Sequence, residues 1–246
     1  VTWLDSDDGY QIFFNRDERK ERKPALPPEI LQCGDTRFIA PRDGDFGGTW
    51  IAVNDHGLCV CLVNGFAAAG RSAQEERREY TTRGRLPMIT IGRATVSGAA
   101  STLHSLDLAC FRPFVLVVFA TGGAGLVARW SGASLEVDDG RPAEQPLVSS
   151  SFYTNEVRRN RTAVFRALAG SHTGPDPTSM HLAFHRSHDP TAGPNSPCMH
   201  RPEASTVSFS HVQVDSRRLR FGYVPDSPCR GRPDEPAVVL ERHRTR

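Results

Sequence analysis

Val1-Thr2-Trp3-Leu4-Asp5-Ser6-Asp7-Asp8-Gly9-Tyr10-Gln11-Ile12-Phe13-Phe14-Asn15-Arg16-Asp17-Glu18 is the stretch whose reading decides the fold. Residues 1–4 are strand-like. Residues 5–9 form a polar turn ending in glycine, and residues 10–14 are strand-like again. Two apolar runs closed by an acidic turn predict an antiparallel hairpin. The second run ends directly in four polar residues, so the hairpin carries a potential site at its far end.

The rest of the chain repeats the theme. Residues 19–46 are rich in charge, Pro and Gly and read as an extended loop. Residues 49–53 and 58–63 form a second hairpin around Asn54-Asp55-His56-Gly57. Residues 71–84 read as a polar surface loop. Residues 86–91 and 94–106 have helical character, and residues 113–120, 125–130 and 134–137 read as a three-strand meander. Residues 147–151 read as a short strand. Thr154 is placed as an N-cap, with Glu156 in the first turn and apolar residues at helical spacing up to Gly170. A short helix is expected around residues 180–188, and a third hairpin at residues 206–214 and 219–224. Runs of strands separated by runs of helices predict an α+β fold with antiparallel sheets. One domain over residues 1–229 is expected, followed by a Pro- and Arg-rich tail at residues 230–246, ordered only in part.

Composition narrows the function classes. Of 246 residues, 38% are hydrophobic, enough for a core, and the formal charge of +2 provides no general field for nucleic acid or membranes. No apolar run reaches the ~18 residues of a membrane span. Asp5, Asp7 and Asp8 are unlike a secretory leader. The six cysteines (33, 59, 61, 110, 198 and 229) form no CxxC pair and are scattered. Buried or free thiols in a reducing compartment, the cytoplasm, are expected. Cys59 and Cys61 alternate, so both face one side of a strand.

Asn15-Arg16-Asp17-Glu18 spells the tetrapeptide that names the NRDE family. Gly47-Gly48-Thr49-Trp50, Leu62-Val63-Asn64, Ser149-Ser150-Ser151, Cys198-Met199-His200-Arg201 with Thr206-Val207-Ser208, and residues 223–229 resemble its further signatures, in order. The chain therefore resembles the NRDE family, which includes transport-and-Golgi-organisation protein 2. That family is similar in turn to N-terminal-nucleophile hydrolases. The resemblance implies two antiparallel sheets sandwiched between helical layers. It also implies a nucleophile at the mature N-terminus whose own α-amine serves as base. Family members usually begin Met-Cys-Thr, which puts that cysteine two residues ahead of Val1. Val1 has no nucleophilic atom, and Thr2 has a hydroxyl with no free amine beside it.

The resemblance implies roles for particular residues, each with a plainer alternative. Arg16 and Asp17 would orient the nucleophile and hold a substrate carboxylate, or else form a structural ion pair. A one-residue register slip would put Asn15 in place of Arg16. Asn64 is a candidate oxyanion-hole donor, or a turn residue before Gly65. Trp50 and Trp3 are candidates for substrate contact, although an aromatic residue in an alternating strand usually packs in the core. His200 and Arg201 are candidates for the acyl site, or cap the adjacent strand. Gly47-Gly48 permit close backbone approach or a positive φ. His181, His185 and His188 stand at helical spacing with Cys198 and His200 near in sequence, but they match no established zinc signature, and no metal or other cofactor is expected. Asn160-Arg161-Thr162 fits a glycosylation acceptor but lies inside a helix. Two functions follow as expectations. One is an amide or thioester hydrolase acting on a small-molecule substrate. The other is a non-enzymatic protein that binds a lipid, acyl-CoA or haem in the same cleft.

Overall fold

The computed structural model describes residues 1–65, 79–150, 154–231 and 237–243. Two antiparallel sheets are stacked face to face. The first has the order β1-β2-β10-β11-β12 and the second the order β3-β4-β5-β6-β7-β8-β9. β1 (Thr2–Ser6) and β2 (Gly9–Arg19) are the expected first hairpin, paired from Thr2↔Phe13 to Ser6↔Gly9. β10 (Ala204–Val214) lies on the other side of β2 and leads into β11 (Arg218–Val224). β12 (Val238–Glu241) comes from the segment read as a tail and pairs with β11.

The second sheet begins with β3 (Leu26–Cys33) and β4 (Thr36–Arg42). It continues through β5 (Ile51–Asn54), β6 (Cys59–Asn64), β7 (Phe114–Phe119), β8 (Gly125–Trp130) and β9 (Leu135–Asp139). β3 and β4 correct the reading of residues 19–46 as loop. Pro27 and Pro28 argued against a strand, but β3 is the edge of its sheet, where a missing N–H costs no ladder bond. Residues 147–150 form no strand; Leu147 N instead donates to Val1 O at 2.9 Å. Of the expected loop at 71–84, residues 71–78 lie outside the described residues.

Four α-helices cover the outer faces among the described residues. α1 (Arg85–Thr90) and α2 (Val96–Ser105) pack on β5 to β8. α3 (Thr154–Ser171) lies on α4 (Pro177–Arg186), which packs on β1 and β2. The order of layers is helix, sheet, sheet, helix, an αββα sandwich. Thr95 caps α2 by accepting from Gly98 N, and Asp176 caps α4 by accepting from Thr178 N.

Strand alternation separates the inter-sheet core from the clusters under the helices, the smaller of which holds Phe13, Phe209 and Val224. Tyr10, Ile12, Phe14, Ile51, Val53, Cys59, Cys61 and Val117 point into the space between the sheets. Their neighbours Ala52, Val60, Leu62, Leu116 and Val118 point outward to meet Leu86, Ile91 and Leu103 of the helical layer. Burying both faces of a strand demands near-continuous apolar sequence, and residues 114–119 have it. Cys59 and Cys61 do share a face, and all six cysteines are free thiols.

Candidate functional site

β2 outlasts its partner β1, so its last residues leave the inter-sheet core and enter a cleft of about 590 Å³. Val1 at the head of β1, residues 14–18, the Asp43–Trp50 segment, the end of β6 and residues 146–149 line it. Arg161 of α3 and His185 of α4 close one side.

Alternation along β2 aims the side chains. Arg16 shares the inter-sheet face with Ile12 and Phe14 and is 8% exposed. Its Nη2 donates to Asp43 Oδ2 at 2.6 Å and to Glu18 at 3.4 Å, and its guanidinium lies 4.4 Å from the centre of the Trp50 ring. Arg22 donates to both Asp43 oxygens, at 2.7 and 2.8 Å, so one carboxylate holds two guanidinium groups. Asn15 and Asp17 occupy the opposite face. Asn15 Nδ2 donates to the carbonyls of His185 and Pro197, both at 2.9 Å. Asp17 accepts from Thr206 Oγ1 at 2.6 Å and from Arg161 at 3.3 Å. A bulge in β10 between Thr206 and Ser208 lets Thr206 reach Asp17 while Ser208 pairs with Arg16.

Asn64 ends β6 at the cleft mouth, where its carbonyl accepts from Ser149 Oγ at 2.6 Å. Trp50 belongs both to the inter-sheet core and to the cleft wall, and its indole N–H is buried with no partner among the described residues. Asn15 Oδ1 is likewise buried without a partner among the described residues. Such orphaned groups at a cleft are the ones a polar ligand would satisfy. Gly47 has φ of 68°, and a Cβ on Gly48 would come within 2.6 Å of the Gly84 backbone. The close approach lets Thr49 N donate to Gly84 O at 2.9 Å, which fixes the wall that carries Trp50.

Other expected site residues stand elsewhere. Trp3 packs in the inter-sheet core, 5.6 Å from the Phe119 ring, and does not line the cleft. Arg201 pairs with Glu203 at the surface. His200 lies beside Cys198 and Cys229, behind the cleft floor. The three histidines do not converge. His181 Nδ1 and His185 Nε2 both hydrogen-bond the buried hydroxyl of Thr2, at 2.8 and 3.0 Å, and His188 lies past the end of α4. Burial lowers His181 to about 4 and His185 well below its usual value, so both are neutral in the fold. The Val1 nitrogen donates to Leu147 O at 2.9 Å. Asp43, Arg161 and Arg22 join the site unannounced by the sequence. Asp43 is 27 residues from Arg16, and no local pattern links them.

Comparison with solved structures shows the same architecture. Penicillin V acylase from Agrobacterium tumefaciens aligns with a TM-score of 0.55 at 12% identity, covering 89% of this chain and 81% of that one. The Caenorhabditis elegans ortholog of N-acylethanolamine-hydrolyzing acid amidase aligns at 0.55 and 13%, covering 94% of each chain. A mutant of the conjugated bile acid hydrolase from Clostridium perfringens aligns at 0.52 and 8%, covering 97% and 91%. The fold is that of the N-terminal-nucleophile hydrolases. No curated protein sequence matches the chain. The family model described as Transport and Golgi organisation 2 matches residues 2–139, more than half of the chain. With the NRDE tetrapeptide at the rim of its cleft and this sandwich around it, the chain belongs to the Transport and Golgi organisation 2 family.

Proposed function

We propose that the cleft is the active site of an N-terminal-nucleophile amide or thioester hydrolase, with a cysteine two residues ahead of Val1 as nucleophile. The register of the first hairpin carries this reading. The ladder ends at Thr2↔Phe13, and one further step in the same register sets Val1 opposite Phe14. Two further residues of ladder would bring an upstream cysteine opposite Arg16, with both side chains on the inter-sheet face. The same register favours Arg16 over Asn15 as the residue beside the nucleophile.

The chemistry needs little more. The thiol sulfur attacks the substrate carbonyl, and the cysteine's α-amine takes the thiol proton. The Asn64 amide donates to the developing oxyanion. The tetrahedral intermediate collapses to an acyl-enzyme as the amine returns the proton to the leaving amine or thiol. Water then attacks the acyl-enzyme, losing a proton to the amine; the C–S bond breaks, the amine returns that proton to the sulfur, and the acid is freed. Asp17, held by Thr206 and Arg161, orients the amine.

The lining supports a substrate with an acidic group. Arg16, Arg22, Arg83, Arg112 and Arg161 share the described lining with Asp17, Glu18 and Asp43, which pair with Arg16, Arg22 and Arg161. The test is a turnover screen of the full-length gene product against small amides and thioesters, with and without a carboxylate. Burst release of one product and a labelled N-terminal acyl-cysteine are expected. Saturable ligand binding with no turnover by a chain that begins with cysteine would instead support a binding protein.

A further inference from the structure

Four side chains outside the cleft form a second site. His188 follows α4, Cys198 and His200 precede β10, and Cys229 follows β11. One ligand atom from each lies within 4.8 Å of all the others. His200 Nε2 is 3.5 Å from Cys198 Sγ and 3.5 Å from Cys229 Sγ. The His188 and His200 rings meet edge to face with centres 5.0 Å apart.

These separations fit the edges of a coordination tetrahedron. With zinc bonds of about 2.3 Å to sulfur and about 2.0–2.1 Å to nitrogen, tetrahedral angles put S and N roughly 3.6 Å apart. Two thiolates and two neutral imidazoles also balance the charge of a divalent zinc ion. A tetrahedral S₂N₂ donor set favours zinc over the harder cations, which take oxygen ligands. We propose that His188, Cys198, His200 and Cys229 bind a structural zinc ion. All four positions are filled by protein, leaving none for water or substrate, so the ion holds structure and does no chemistry.

What it holds is the back of the cleft. Pro197 O, on one side of Cys198, accepts from Asn15. Met199 N, on the other side, donates to Thr206 Oγ1 at 2.8 Å, and that hydroxyl donates to Asp17. Zinc would tie this segment to the turn after β11 and to the end of α4. The sequence brings His188, Cys198 and His200 near one another, but Cys229 lies 29 residues beyond His200 and the spacing follows no finger pattern.

The experiment uses the full chain, purified with zinc and a non-chelating reductant and then dialysed free of loose metal. Elemental analysis is expected to find stoichiometric zinc. Cobalt in its place should give the visible absorption of a tetrahedral thiolate site. Cys229→Ser and His188→Ala change groups at the surface, so the fold survives them. Each is expected to weaken zinc binding, measured against a chromophoric chelator, by more than the roughly 10–100-fold that outer-shell changes cost. Cys110→Ser, remote from the cluster, should bind as the parent does. Absence of metal, stoichiometric iron or copper, unchanged affinity in both ligand variants, or a Cys198–Cys229 disulfide in the reduced chain would each overturn the proposal. None of these readouts depends on turnover, so they stand apart from the hydrolase reading.

Discussion

Arg16, Asp17 and Asn15 are adjacent in sequence, yet they do three different things because a strand turns successive side chains to opposite faces. Arg16 works through Asp43, which also holds Arg22. Asp43→Asn keeps the shape and removes the charge between two guanidinium groups. A loss of about 1–3 kcal/mol in chemical denaturation is expected. At Asn64 the expected effect is on catalysis. Asn64→Ala in the full-length hydrolase should lower kcat by roughly 10²–10³ with little change in stability. His181 and His185 give a pH prediction. Their folded pKa values are depressed below the unfolded value, to about 4 for His181, so the unfolded chain binds more protons in between. Stability is complete above the unfolded pKa near 6.5 and is lost as pH falls from there toward about 4, by on the order of 1–3 kcal/mol for His181, with His185 acting in the same direction. Denaturation midpoints measured from pH 7 to 4 check it, and His181→Gln should flatten the slope. The sequence could show that these histidines share a helix. It could not show that a buried threonine hydroxyl, 179 positions away, was their partner.

At the scale of elements, apolar alternation made most strands legible, and failed where an edge relaxed it. β5 to β8 read clearly because both faces are buried. β3 is largely exposed, carries Pro27 and Pro28, and shows no burial pattern to read. α4 was visible as a helix, but His188 was counted on it; in the structure Arg186 ends the helix and His188 turns to the cysteines. The glycine pair was legible as a place of close approach, though its partner Gly84 was not. Gly48→Ala should force the 43–50 segment away from Gly84 and shift Trp50. A drop in stability of about 1–3 kcal/mol is expected, with altered Trp fluorescence as the local check.

The whole molecule was readable in class, because runs of hairpins, helices and meander point to α+β with antiparallel sheets, whereas the order of layers was implied only by the family resemblance. What was not readable is how two sheets bring the end of β2, the 43–50 segment and the end of β6 to one cleft, since sheet stacking leaves no periodic trace in sequence. The same stacking makes the inter-sheet core the main source of stability. Ile12→Ala, fully buried there, should cost about 2–5 kcal/mol in denaturation with no change at the thiols. The central claim is that the head of β1 delivers an activated nucleophile to Arg16. Its most direct test is the intact mass of the full-length gene product before and after brief thiol alkylation at neutral pH, with peptide mapping of the label. The account predicts a mature chain that begins with cysteine two residues ahead of Val1, labelled faster than Cys33 and Cys110. A chain with another residue at that position, or a cysteine there that reacts no faster than these surface thiols, would contradict it.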